Sequence, residues 1–105
     1  MIVYEVNLSV VSEVAEDYAA WLRAHVDEII GLGCFTGARW FERESEDESR
    51  KAWTVQYYAE NRERLNEYLE RYAPRLREEG LRRFGGRFTA ERRVLMEVRR
   101  WPGES

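Results

Sequence analysis

The sequence predicts an α+β fold: one four-stranded antiparallel sheet with two helices packed on one of its faces. Three observations carry this. Period-two alternation at the N-terminus marks a strand with one buried face. Two amphipathic helical stretches are separated by a pair of aromatic-rich strands. A final alternating segment then completes the order strand, helix, strand, strand, helix, strand.

The first strand spans residues 2 to 10. Ile2, Tyr4, Val6, Leu8 and Val10 take one face; Val3, Glu5, Asn7 and Ser9 take the other. A helix is expected over roughly residues 12 to 30, with Val14, Tyr18, Trp21, Leu22, His25, Val26 and Ile29 recurring at helical spacing. Ser12 is placed to cap it. Glu13, Glu16 and Asp17 put negative charge where the helix dipole favours it, and Gly31 is a natural stop. The second strand is read over 34 to 43, with Cys34, Thr36, Ala38 and Trp40 on one face. The polar, acidic segment 44 to 50 is a solvated hairpin loop. Its carboxylates lack the glycine and spacing of a calcium loop, so no metal site is expected.

The third strand covers Lys51 to Ala59, with Trp53, Val55 and Tyr57 sharing a face. Asn61 is a good cap for the second helix, whose stripe is Leu65, Tyr68, Leu69, Tyr72 and Leu76. Pro74 interrupts that pattern. It removes a backbone donor and clashes with the preceding turn, so a break near Tyr72 and Ala73 is expected, with Pro74 opening a short second piece. The last strand runs from Phe88 to about Arg100. Phe88, Ala90, Val94, Met96 and Val98 share a face and Arg92 is the exception. Residues 101 to 105 form a tail, pinned by Trp101. Two βαβ-like halves joined by a central hairpin make the ferredoxin-like arrangement, here a single domain over 1–105.

Bulk properties exclude several classes. A hydrophobic content of 44% across 105 residues, 14 of them aromatic, supports a real core rather than disorder. No apolar run suits a membrane span, and the N-terminus has no basic leader region. The lone Cys34 cannot form an internal disulfide, so a cytoplasmic protein is expected, with Cys34 a small core residue. The net charge of −3 hides an asymmetry: residues 1 to 74 carry −7, and residues 75 to 100 carry +5 from nine arginines. Because glutamates interrupt those arginines, the basic third reads as a solvated face with mixed ion pairs.

Strands two and three carry apolar or aromatic groups on both faces, whereas an antiparallel sheet ordinarily shows water one polar face. A second sheet from an identical protomer is expected to cover the open side, with Glu5, Asn7, Glu91, Arg93 and Glu97 paired in the interface or lining its wet regions. The opening Met-Ile-Val-Tyr-Glu-Val, the helix with Trp21 and His25, the Gly33-Cys34-Phe35 turn, Val55-Gln56-Tyr57-Tyr58, and Tyr72-Ala73-Pro74-Arg75-Leu76 through Phe84 to Phe88 resemble one small bacterial domain-of-unknown-function family. The resemblance spans nearly the whole chain. It implies a ferredoxin-like domain assembled as a dimeric α+β barrel, with no established reaction, cofactor or catalytic residue. The wider superfamily includes antibiotic-biosynthesis monooxygenases and haem-degrading enzymes, a link at the level of fold alone.

His25, the only histidine, is the candidate catalytic group, as a general base, a haem ligand or an electrophile. Trp21, His25, Gln56, Tyr72 and Arg75 are the candidate ligand-binding residues of a pocket between the first helix and the sheet. No partner for a catalytic or metal constellation can be built around His25 by spacing, and no cofactor is expected. A histidine at the edge of the core explains the same pattern. Three readings result: a dimeric small-molecule-binding or regulatory module, a cofactor-independent or haem-linked monooxygenase-like enzyme using His25, and an RNA-recognition module. The last is disfavoured, since Tyr4 would have to stack on bases from the open face yet alternates with Ile2, Val6 and Leu8.

Overall fold

The computed structural model describes residues 1–103. Its elements are β1 (Ile2–Val11), α1 (Ala15–Gly31), β2 (Gly37–Glu42), β3 (Arg50–Ala59), α2 (Arg62–Arg71), α3 (Ala73–Phe84) and β4 (Phe88–Met96). The strands form one antiparallel sheet in the order β2-β3-β1-β4, the ferredoxin-like topology. Tyr4 lies opposite Tyr57 on one side and Val94 on the other. Val6 lies opposite Val55 and Arg92. This register aligns the alternating residues of three strands into one face, which the helices cover.

The core between sheet and helices contains Val10, Leu65, Ala73 and Leu76 with no exposed surface, and Tyr18, Ile29 and Val55 nearly so. Tyr4, Phe35, Tyr57 and Tyr68 form an aromatic cluster with centroid separations from 5.0 to 6.4 Å, the range in which tilted ring pairs attract.

Local chemistry explains most boundaries. The side chain of Asn61 accepts from the Arg64 backbone N–H and caps α2. The helix breaks at Tyr72, and Pro74 sits in the first turn of α3, where its missing N–H costs nothing. Four details depart from the sequence reading. Ser12 does not cap α1: it lies in a 3-10 turn, Ser12–Val14, and its hydroxyl donates to the Glu48 carbonyl across the hairpin loop. Gly31 is the last residue of α1, not the stop. Gly33, at φ +82°, turns the chain. Strand β2 starts three residues later than expected, because Cys34 and Phe35 are both buried and so break the alternation. Strand β4 ends at Met96, and beyond it Val98 is 98% and Trp101 77% exposed, so Trp101 does not pin the tail into the core. Residues 104 and 105 of the expected tail lie outside the described residues.

Candidate functional site

A cavity of about 40 Å³ lies between α1, α3 and the helix-covered face of the sheet. Helix α1 lines it with Tyr18, Trp21, Leu22, His25 and Ile29, residues brought to one face by helical spacing. The sheet supplies Tyr4, Val6 and Leu8 from β1, Val55 and Tyr57 from β3, and Phe88 and Arg92 from β4. Tyr68 of α2 and Leu76, Arg77 and Gly80 of α3 close it.

His25 stacks on Trp21, with ring centroids 4.4 Å apart and planes 21° apart. Its Nδ1 is buried without a hydrogen-bond partner among the described residues. Burial pulls the imidazole pKa down to about 4. The Glu28 carboxylate opposes this and the Arg92 guanidinium adds to it. His25 is therefore neutral at pH 7, with an unshared polar nitrogen, which is costly unless something bonds to it. Burial likewise raises Tyr18, Tyr57 and Tyr68 well above an ordinary phenol, so these hydroxyls stay protonated.

Gly80 permits the close approach of α3 to α1. A Cβ there would lie 3.0 Å from Cη2 of Trp21 and 3.6 Å from Cζ of Phe88. A mid-helix glycine costs roughly 1 kcal/mol relative to alanine, so its presence is explained by the indole it accommodates. Arg77 donates to the Tyr4 hydroxyl at 2.9 Å.

Of the five candidate ligand-binding residues, the structure brings Trp21 and His25 together in the cavity and leaves the others out. Gln56 lies on the opposite face of the sheet, because it alternates with the buried Val55 and Tyr57. Arg75 is on the surface, bridged to Glu28 at 3.3 Å and Glu79 at 3.1 Å. Tyr72 sits at the break between α2 and α3 and does not line the cavity. Sequence reasoning missed Tyr4, Arg77, Gly80 and Arg92 as site residues. Arg92 did leave a signal, as the one charged residue on the apolar face of β4. Arg77 left none, since an arginine beside the buried Leu76 reads as an ordinary solvent-facing helix residue.

Gln56 belongs instead to a polar network on the open face. It donates to Glu5 at 2.9 Å, Asn7 donates to the same carboxylate at 3.0 Å, and Arg93 forms a charged bond with it. Tyr58 donates to Gln56, and Thr54 donates to Asn7. Arg43 joins β1 to β3 through the Leu8 and Trp53 carbonyls. Glu5 is consequently only 4% exposed. Burial raises its pKa, but the bonds from Gln56, Asn7 and Arg93, with the charge of Arg93, outweigh that and hold it below the usual carboxylate range.

A family model matches residues 1–98. The chain belongs to the family described as Domain of unknown function (DUF4286). No curated protein matches the sequence. Among solved structures, SnoaB, a cofactor-independent oxygenase from Streptomyces nogalater, aligns with a TM-score of 0.67 at 13% identity, over 96% of this chain and 97% of that one. The de novo designed protein Foldit4 aligns at 0.61 and 14% identity, over 91% and 97%. The de novo designed ferredoxin-fold protein LFR1 1 aligns at 0.54 and 18% identity, over 93% and 88%. At these identities the likeness establishes the fold alone, and designed proteins share that fold. No helix among the described residues is long and apolar enough to cross a membrane.

Proposed function

We propose that this chain is a homodimeric small-molecule-binding or regulatory module: a single cytoplasmic domain over 1–105 whose ligand enters the cavity between α1, α3 and the sheet. One observation carries the reading. His25 presents a neutral ring with a buried, unshared nitrogen inside a cavity walled by aromatic side chains. A binding pocket of this kind pairs apolar walls with a few polar groups that orient the guest. Trp21 and His25 are the residues assigned to contact it.

The enzymatic alternative uses His25 as a base in cofactor-independent chemistry, as the fold shared with SnoaB allows. It is less well supported. A ring whose pKa is near 4 is a weak base at neutral pH, and efficient general bases titrate close to the working pH. A haem-linked variant fits worse, since a porphyrin is far larger than a cavity of about 40 Å³.

The open sheet face supports pairing with a second copy. Its central carboxylate is already neutralised within one chain by Arg93 and two amides. Val3 and Leu95 face each other beside it, Tyr58 flanks Val3 on the other side, and Phe41 stands 43% exposed. A face with apolar groups whose buried carboxylate is already paired suits an isologous dimer.

Native mass spectrometry of gently purified protein, wild type against His25→Ala, tests both parts. The expected result is a dimer for each, with a retained or added small molecule held only by the wild type. A variant that loses stability but binds the same guests would make His25 a purely structural residue. A monomeric wild type would remove the paired-sheet assembly.

A further inference from the structure

The cavity differs in charge from the protein around it. The chain is acidic, at −3 overall, yet the residues lining this cavity include two arginines and no aspartate or glutamate. Arg77 and Arg92 are both exposed, so they mark where the cavity meets solvent. Glu28, the carboxylate that acts on the His25 ring, does not line the cavity and is bridged to Arg75 at 3.3 Å.

The two arginines are held differently. Arg77 spends one N–H on the Tyr4 hydroxyl at 2.9 Å, which ties its guanidinium to the cavity wall and, among the described residues, leaves the other donors of its planar fork without a partner. Arg92 reaches the site because Val6 is its partner in the register of β1 and β4, which puts its side chain on the helix-covered face. It forms no ion pair among the described residues. A charged group on an otherwise apolar strand face, with no carboxylate partner, is the kind of arrangement a planar oxyanion satisfies.

Size narrows the class. A buried water occupies about 10–15 Å³ of such space, so about 40 Å³ holds roughly three waters, or three to four heavy atoms. That is the size of a carboxylate with its first carbon, and too little for an aromatic ring.

Resting on the binding function proposed above, we propose that the cavity is an oxyanion site: it takes the carboxylate of a small organic acid, or the carboxylate head of a longer one, against Arg77 and Arg92 with Trp21 and His25 as its inner wall. Acid–base chemistry is not required. His25 contributes a neutral ring wall with one buried, unpartnered nitrogen among the described residues.

The chain's single histidine makes the test direct, because the imidazole gives one set of NMR signals. The probes are acetate, its neutral isostere acetamide, and octanoate, added to the full chain at pH 7 in a buffer free of carboxylates. Acetate is expected to shift the His25 ring signals saturably, with an affinity at least tenfold above acetamide. Arg92→Gln is expected to abolish that preference at an unchanged unfolding midpoint. Octanoate binding far more tightly than acetate identifies the head of a longer acid as the guest; equal affinity identifies a free compact anion. Equal binding of acetate and acetamide, or a preference that survives Arg92→Gln, overturns the oxyanion assignment while leaving the pocket intact. Ring signals unmoved by all three probes overturn both the assignment and the binding function beneath it.

Discussion

Acidification should destabilise this protein first through its one buried histidine. In the unfolded chain His25 takes up its proton near the ordinary value of 6.5, whereas burial and Arg92, against Glu28, hold the native ring at about 4. Between these values the unfolded state binds more protons, so stability is complete above about pH 6.5 and falls as the pH drops. The linkage relation gives a loss of about 2 kcal/mol by pH 5 and about 3 kcal/mol by pH 4. Glu5 works in a different window. Its native pKa is depressed, so its contribution is present above the unfolded value of 4.5 and is lost only below that. Urea unfolding at pH 7.5, 6, 5 and 4.5 should therefore separate the two. Wild type should lose most of that 2 kcal/mol by pH 5, and His25→Gln, which cannot titrate, should stay nearly flat down to the same pH. Direct titration of the imidazole by NMR checks the cause. A His25 pKa near 6.5 in the folded protein, or a variant whose stability falls in parallel with wild type, would refute the reasoning, because either means the ring is not desolvated.

Other perturbations probe the scaffold. Leu76 has no exposed surface beneath α3, so Leu76→Ala should cost about 2–5 kcal/mol in denaturant midpoint measurements. Asn61→Ala removes the α2 cap and should cost about 1 kcal/mol, with most of the loss recovered by Asn61→Ser. Glu5→Ala leaves the amides of Asn7 and Gln56 and the Arg93 guanidinium without their shared acceptor; about 2–3 kcal/mol should be lost at pH 7, and the difference from wild type should shrink as the pH falls through the depressed native pKa of Glu5. Phe41→Glu should shift light-scattering mass from dimer to monomer without changing the far-UV circular dichroism, since Phe41 stands out from the open face.

Much of the fold is written in local patterns. Period-two alternation over 2 to 10, helical spacing through Tyr18, Leu22 and Ile29, the cap at Asn61 and the break before Pro74 each rest on interactions within a few residues, so each is readable along the chain. Element order then leaves few topologies, because antiparallel neighbours and short connections exclude the rest. Boundaries were less legible where long-range contacts overrode local signals. Ser12 had a capping side chain, but the Glu48 carbonyl, far along the chain, offered its hydroxyl a competing partner. Cys34 and Phe35 alternate on paper, yet both turn inward once the chain crosses the sheet edge.

The candidate site divides the same way. Trp21 and His25 sit one helical turn apart, so the sequence by itself determined that they share one face of α1; that their rings stack is a result of the tertiary structure. Gln56 shows the opposite case: its strand was correctly read, but which face carried the pocket depended on where the helices packed, and they packed against Val55 and Tyr57. Arg77 and Arg92 are separated by a helix end, a turn and half a strand. Only the register of β4 against β1 and the approach of α3 over Gly80 bring them to one cavity. Local sequence dictates which residues can share a face, because side-chain direction follows backbone period. Tertiary packing decides which faces meet, because that depends on burying apolar area over the whole chain at once, and the charge of the cavity emerges only from that meeting.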